Sequence, residues 1–218
     1  MIEYYNYDSS KTKLINILKE KGIFVDRVLD AIYKVDRHIF VQPAFLSRAY
    51  EDIALPIGAN QTISQPYTVA LMTECLRIKD GSKILEIGTG SGYQAAILAE
   101  MGAVVYSIER ISELLKEAEI LFKKLNYNVI CKIDDGTLGW AEEAPFDGII
   151  VTAAAPEVPK ILLEQLGENG ILVAPVGNMD VQDIYIVTKR KGNIFTEIKR
   201  GFRFVPLIGK EGWSHNHS

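Results

Sequence analysis

Residues 83–99 read KILEIGTGSGYQAAILA. Five residues suited to a buried strand run into three glycines, and an alanine-rich helical stretch follows. A strand ending in such a turn at a helix start belongs to a parallel α/β sheet, where ligands sit beyond the carboxyl ends of the strands. The downstream pattern agrees. Strand-like runs at 104–109 (VVYSIE), 128–133 (NVICKI), 146–154 (FDGIIVTAA) and 170–176 (GILVAPV) alternate with helical runs at 92–101, 112–125 and 159–166. That alternation predicts right-handed crossovers in a doubly wound, mostly parallel sheet. Residues 181–190 and 194–207, separated by Lys191-Gly192-Asn193, read instead as an antiparallel hairpin. Upstream, helical spacing predicts helices over 10–21, 25–35 and 66–77, the last with Pro66 at its first position. Residues 36–64 show little period, and a loop this long in a compact chain is usually functional. The 218 residues are read as a single domain in three parts: N-terminal helices and an active-site loop (1–65), an α/β core (66–180), and antiparallel C-terminal strands with a tail (181–218).

The spacing of the turn narrows its ligand. Gly88-Thr89-Gly90-Ser91-Gly92 is G-x-G-x-G. A dinucleotide fingerprint needs its third glycine at position 93, which is Tyr93, and no P-loop lysine is present. Glu86 precedes the turn within the first core strand. A carboxylate there repels a pyrophosphate and suits an ammonium or sulfonium. Glu109 ends the next strand about twenty residues after Gly88, the offset of the acid that binds ribose hydroxyls. A ribose beside a positive charge, without pyrophosphate, describes S-adenosylmethionine. Asp134-Asp135-Gly136 follows the third core strand, where a carboxylate can accept a hydrogen bond from an adenine amino group; a plain Asp-Gly turn is the alternative.

The acceptor of a methyl group is constrained by what is missing. After the fourth core strand the chain reads Val151-Thr152-Ala153-Ala154-Ala155-Pro156, with no Asn/Asp-Pro-Pro-Tyr run, carboxylate or cysteine. This loop offers no strong base. A substrate already anionic at neutral pH needs none, and a carboxylate qualifies. Gln61-Thr62-Ile63-Ser64-Gln65-Pro66 puts hydroxyls and amides before a helix. That suits an anion site, and equally an N-cap in which Thr62 or Ser64 merely ties down the helix.

Other features set bounds. The formal net charge of −4 disfavours nucleic acid as a partner. No apolar run approaches 18 residues, so no membrane span is expected. The opening MIEYYNYDSSKTK lacks the pattern of a secretion signal, which points to a cytoplasmic chain with Cys75 and Cys131 as unpaired buried thiols. No metal site is expected: His38 has no ligand neighbours at suitable spacing, and His215 and His217 lie in a polar tail.

Four segments carry a family resemblance: YEDIALPIGANQTISQPYTVA (50–70), ILEIGTGSGYQAAILAEMGAVVYSIER (84–110), DDGTLGWAEEAPFDGIIVTAAAPEVP (134–159) and VPLIGKEGW (205–213). Together they resemble the protein-L-isoaspartate (D-aspartate) O-methyltransferases. The resemblance implies a Rossmann-like class I S-adenosylmethionine-dependent methyltransferase fold. Its substrates would be proteins and peptides carrying L-isoaspartyl, and potentially D-aspartyl, residues. The free carboxylate is methylated, S-adenosyl-L-homocysteine is released, and the ester cyclises to a succinimide that opens partly to normal aspartate. The resemblance assigns Ser64 as the active-site residue. It sets Thr62, Ile63, Ser64, Glu86, Gly88, Thr89, Gly90, Gly92, Glu109, Arg110, Asp135 and Gly136 around the cofactor, and gives the 41–64 and 203–208 segments to the substrate. Two positions depart from the family pattern: Thr68, often methionine, and Asp134, usually glycine. Rival readings are a tRNA or small-molecule methyltransferase, disfavoured by the acidic charge and missing Pro-Pro-Tyr run, a dinucleotide-dependent oxidoreductase, disfavoured by Tyr93 and Glu86, and a non-catalytic interaction module.

Overall fold

The computed structural model describes residues 7–214. The first six residues, and the tail with His215 and His217, lie outside that range. Helices α1 (Tyr7–Glu20) and α2 (Asp26–Lys34) lead into two short 3-10 turns, Arg37–Phe40 and Pro43–Arg48. The stretch expected to be loop then contains a small antiparallel hairpin, β1 (Leu55–Gly58) and β2 (Gln61–Ile63). Each strand is only three or four residues long, too short for alternation to show. The connecting Ala59 and Asn60 both have positive φ (48° and 56°). That is the turn type that matches strand twist, but alanine does not announce it.

The core follows the expected order: α3 (Pro66–Leu76), β3 (Lys83–Ile87), α4 (Tyr93–Glu100), β4 (Val104–Glu109), α5 (Ser112–Leu125), β5 (Val129–Ile133), β6 (Phe146–Val151), α6 (Lys160–Gln165), β7 (Leu166–Gly177), β8 (Gln182–Arg190) and β9 (Asn193–Phe202). One sheet runs β5-β4-β3-β6-β7-β8-β9. The pairs from β5 to β7 are parallel, and β8 and β9 are antiparallel. Strand order reverses at β3, so the crevice at its carboxyl end is the topological switch point. Helix α5 shows why the pattern is readable: Leu114, Leu115, Ala118 and Phe122 recur at helical spacing and are buried, and Asn126 closes the helix in a left-handed conformation.

Alternation along β3 sorts its side chains between two apolar layers. Ile84 joins the layer built with α1 to α5, while Leu85 and Ile87 join the opposite layer with Phe146 and Leu162. Glu86 shares the face of Ile84 and is fully buried. The N-terminal helices belong to the same layer as α3 and α4, since Leu14, Leu18, Val28 and Ile32 pack with Met72 and Leu98. The backbone N–H groups of Phe24 and Val25 both donate to Glu74 Oε2 on α3, at 3.1 Å. Past Phe202 the strand expected to reach residue 207 has ended. The chain crosses the sheet instead: Ala154 N–H donates to Val205 O (2.8 Å) and Leu207 N–H to Ala154 O (2.7 Å). Cys75 and Cys131 are unpaired thiols, half-buried rather than buried.

Candidate active site

Beyond the carboxyl ends of β3, β4 and β6 lies a cavity that is partly open to solvent, the place where such sheets bind ligands. The glycine turn is its floor. Gly88 has φ +95°, and a Cβ there would stand 2.4 Å from Thr152 Oγ1, so only glycine lets β3 leave the sheet this way. Thr152 Oγ1 donates to Gly88 O (2.7 Å), which pins the turn to the end of β6. Glu109 organises the next element. Its Oε2 accepts from Gly90 N–H, and its Oε1 from the N–H groups of Arg110 and Ile111, each at 2.9 Å. The carboxylate that reaches the cavity is thus locked by three backbone donors.

Of the residues expected around the cofactor, Thr62, Ile63, Ser64, Gly88, Thr89, Gly90, Glu109, Arg110 and Gly136 line this cavity. Three stand behind its wall. Glu86 points under α4 instead of toward the ligand, as its position on β3 dictates. Its Oε2 accepts from Ser107 Oγ on the neighbouring strand, and Ser107 Oγ lies 2.6 Å from Thr89 Oγ1. Its Oε1 has no partner among the described residues. Burial, with a smaller push from Glu109, raises the Glu86 carboxyl to about 8, so near neutrality it is largely a neutral acid and not a counter-ion. Gly92 is the buried start of α4, with φ +86°, and a Cβ there would sit 2.8 Å from the Phe122 ring. Asp135 turns its carboxylate onto its own loop: Oδ1 accepts from Thr137 N–H (2.9 Å) and Oγ1 (2.7 Å), and Oδ2 from Lys210 N–H (2.7 Å). The Asp135 carboxylate is thus engaged within its own loop and with Lys210, and of this pair it is Gly136 that lines the cavity. Asp134 is exposed and paired with Lys132 at 2.7 Å.

A second cavity, also partly open to solvent, adjoins the first. Thr62, Ser64, Thr68, Thr152, Phe204 and Val205 line both and form the seam between them. Arg203 is the one charged side chain among the described residues that line the second cavity. The capping alternative for Ser64 does not hold. The N-cap of α3 is Gln65, with no side-chain cap bond, and the Tyr67 N–H is taken by Asp52 Oδ1 at 2.8 Å. Sequence reasoning did not foresee the wall residues Met72, Gln94 and Thr152, while Ile208 belongs to the 203–208 segment that it singles out. The only signal of the first three was adjacency to the motifs. Thr68, noted as a departure, falls on the seam itself.

The donor set suits S-adenosylmethionine: a glycine floor that admits close backbone approach, a carboxylate at the end of β4, and apolar walls from Met72, Ile108 and Leu207. The model of the protein-L-isoaspartate(D-aspartate) O-methyltransferase (PCMT) family matches residues 9–212. A protein-L-isoaspartate O-methyltransferase of Dictyoglomus turgidum is 56% identical over 208 residues, covering 95% of this chain and 94% of its own. The corresponding protein of Chlorobaculum tepidum is 52% identical over 209 residues, covering 95% and 98%. Among solved structures, a protein-L-isoaspartate O-methyltransferase superposes with a TM-score of 0.83 at 30% identity, over 93% of this chain and 67% of its own. A Plasmodium falciparum structure in complex with S-adenosyl-L-homocysteine gives 0.78 at 28% identity, over 90% and 97%. With its glycine floor, its Ser64 seam and a family match running from residue 9 to residue 212, the chain belongs to the protein-L-isoaspartate (D-aspartate) O-methyltransferase family.

Proposed function

We propose that this protein repairs damaged chains by moving a methyl group from S-adenosylmethionine to the free carboxylate of L-isoaspartyl residues, with Ser64 aiming the acceptor. The observation that carries the assignment of roles is that Ser64 lines both cavities. One cavity suits the cofactor. The other, with Arg203 among its lining residues, suits an anionic peptide segment. S-adenosylmethionine supplies an electrophilic methyl group on a sulfonium. The isoaspartyl carboxylate is an anion at neutral pH and needs no base, which agrees with a seam made of hydroxyls and apolar side chains. The work left to the chain is positioning and exclusion of water. Ser64 Oγ donates to one carboxylate oxygen and leaves the other aimed across the seam. Thr68 and Thr152 border the same passage, and Phe204 and Val205 keep it apolar. Thr62, Ile63, the glycine turn, Glu109, Arg110 and Gly136 hold the cofactor.

The partners are isoaspartyl-containing proteins and peptides. No nucleic acid or membrane takes part in this reading, and the cytoplasm is the compartment. Among the described residues no helix is long and apolar enough to cross a membrane.

The test is Ser64→Ala. It is expected to lower kcat on an isoaspartyl peptide on the order of tenfold to a thousandfold, as for other lost orienting donors, with S-adenosyl-L-homocysteine affinity within about threefold. Loss of kcat and cofactor affinity together by the same factor would make Ser64 a structural residue.

A further inference from the structure

The segment that carries Ser64 is held from both ends by the N-terminal part of the chain. Arg37, in the first 3-10 turn, is fully buried. Its Nε donates to Ala49 O at 2.9 Å, and its Nη2 to Ser64 O at 2.8 Å and Ile53 O at 3.3 Å. The guanidinium carbon lies 4.9 Å from the centre of the Tyr93 ring, on the first turn of the helix after the glycine loop. Asp52, whose side chain is 8% exposed, grips the other end. Its Oδ1 accepts from Tyr67 N–H at 2.8 Å, and its Oδ2 from Gln65 Nε2 at 3.0 Å and Lys21 Nζ at 2.6 Å.

Arg37 is an expensive device for this position. No carboxylate hydrogen-bonds it among the described residues, Nη1 has no partner among them, and burial lowers its pKa from the ordinary arginine value. A buried cation is rarely the cheapest way to fill a core, since apolar residues of similar volume often serve stability as well. A guanidinium does something they cannot. Its rigid fork collects carbonyls that the chain presents from different directions. Here those carbonyls come from residues 49, 53 and 64, three points of a segment with no long regular element to hold it. Once the Ser64 carbonyl is fixed on one side and the Tyr67 amide on the other, the direction of Ser64 Cβ follows, toward the seam.

We infer that Arg37 and Asp52 form a two-point clamp that orients Ser64, so that Arg37 is a positioning residue for methyl transfer. This rests on the role proposed for Ser64. A misplacement of about 1 Å at such a group can cost about a hundredfold in rate.

A double-mutant cycle tests the inference and separates it from the reading beneath it. Arg37→Lys keeps the charge and loses the fork. In the otherwise unchanged protein it lowers kcat by about 10- to 100-fold, counted per S-adenosyl-L-homocysteine-binding site, with affinity for that ligand within about threefold. In a Ser64→Ala background the same change costs less than about threefold, because the group it orients is gone. Counting per binding site removes any loss that comes only from misfolded protein. Asp52→Asn provides the same test at the other end of the clamp if Arg37→Lys does not fold, with the same loss of additivity. Equal losses in both backgrounds, or an unchanged kcat, would overturn the clamp. An unchanged kcat for Ser64→Ala alone would overturn the Ser64 role instead.

Discussion

Replacing Glu86 by glutamine should abolish the pH dependence of stability that this residue imposes. The carboxyl is fully buried on the α4 face of β3, with a single hydrogen bond from Ser107 Oγ and its other oxygen unpartnered among the described residues. Burial lifts its pKa from an ordinary 4.5 to about 8. Below pH 4.5 the group is neutral in both folded and unfolded chains and costs nothing. Between 4.5 and 8 the unfolded chain releases the proton while the folded chain keeps it, so stability falls as pH rises. Each unit is worth about 1.4 kcal/mol, so the accumulated loss is about 5 kcal/mol by pH 8, and no more accrues above that. Glutamine does not titrate. Its amide nitrogen, placed where the unpartnered oxygen stands, adds a penalty that is the same at every pH. The informative quantity is therefore the slope of the difference, not its sign at one pH. Thermal unfolding of both proteins from pH 5 to pH 9 measures it. About 4 kcal/mol of that loss falls between pH 5 and pH 9, so at about 2–4 °C per kcal/mol for a chain of this size the variant gains about 8–16 °C on the parent across that range. Melting curves that stay parallel within about 2 °C would refute a neutral, buried Glu86.

Glu109 is held at the edge of the cavity by three backbone donors. Glu109→Ala should weaken S-adenosyl-L-homocysteine binding on the order of ten- to a hundredfold by calorimetry, the size expected for lost hydrogen bonds to a charged group. Gly92→Ala should lower unfolding free energy by about 1–3 kcal/mol, because the new methyl meets the Phe122 ring at a positive φ. Denaturant titration would detect it, and an unchanged midpoint would mean that α4 can shift. Arg203→Glu should raise KM for an isoaspartyl peptide severalfold or more by reversing the one charge lining the second cavity, while cofactor affinity stays constant.

The legible part of this protein is what repetition and glycine make visible. Strands β3 to β8 and helices α3 to α6 follow from alternation and capping to within a few residues. The switch-point cavity follows from the parallel order. What stayed hidden has physical reasons. The β1–β2 hairpin is too short to show a period. The strand expected from 194 to 207 stops at Phe202, one residue after Gly201 takes a positive φ (+87°), and a glycine does not say whether it will bend. Acids were placed in the right loops with their directions unread. Glu86 and Asp135 face away from the cavity because β3 alternation and the bonds to Thr137 and Lys210 decide where they point. Arg37 gave no signal, since a buried arginine bonded to carbonyls distant in sequence looks like any charged residue between helices.

The central claim is that the seam between the two cavities serves an isoaspartyl carboxylate. The most direct measurement is methyl transfer from labelled S-adenosylmethionine to two peptides that differ only in isoaspartyl or aspartyl at one position. The account predicts base-labile label on the isoaspartyl peptide alone. Equal labelling of both, or none on either with S-adenosyl-L-homocysteine still bound, would contradict it.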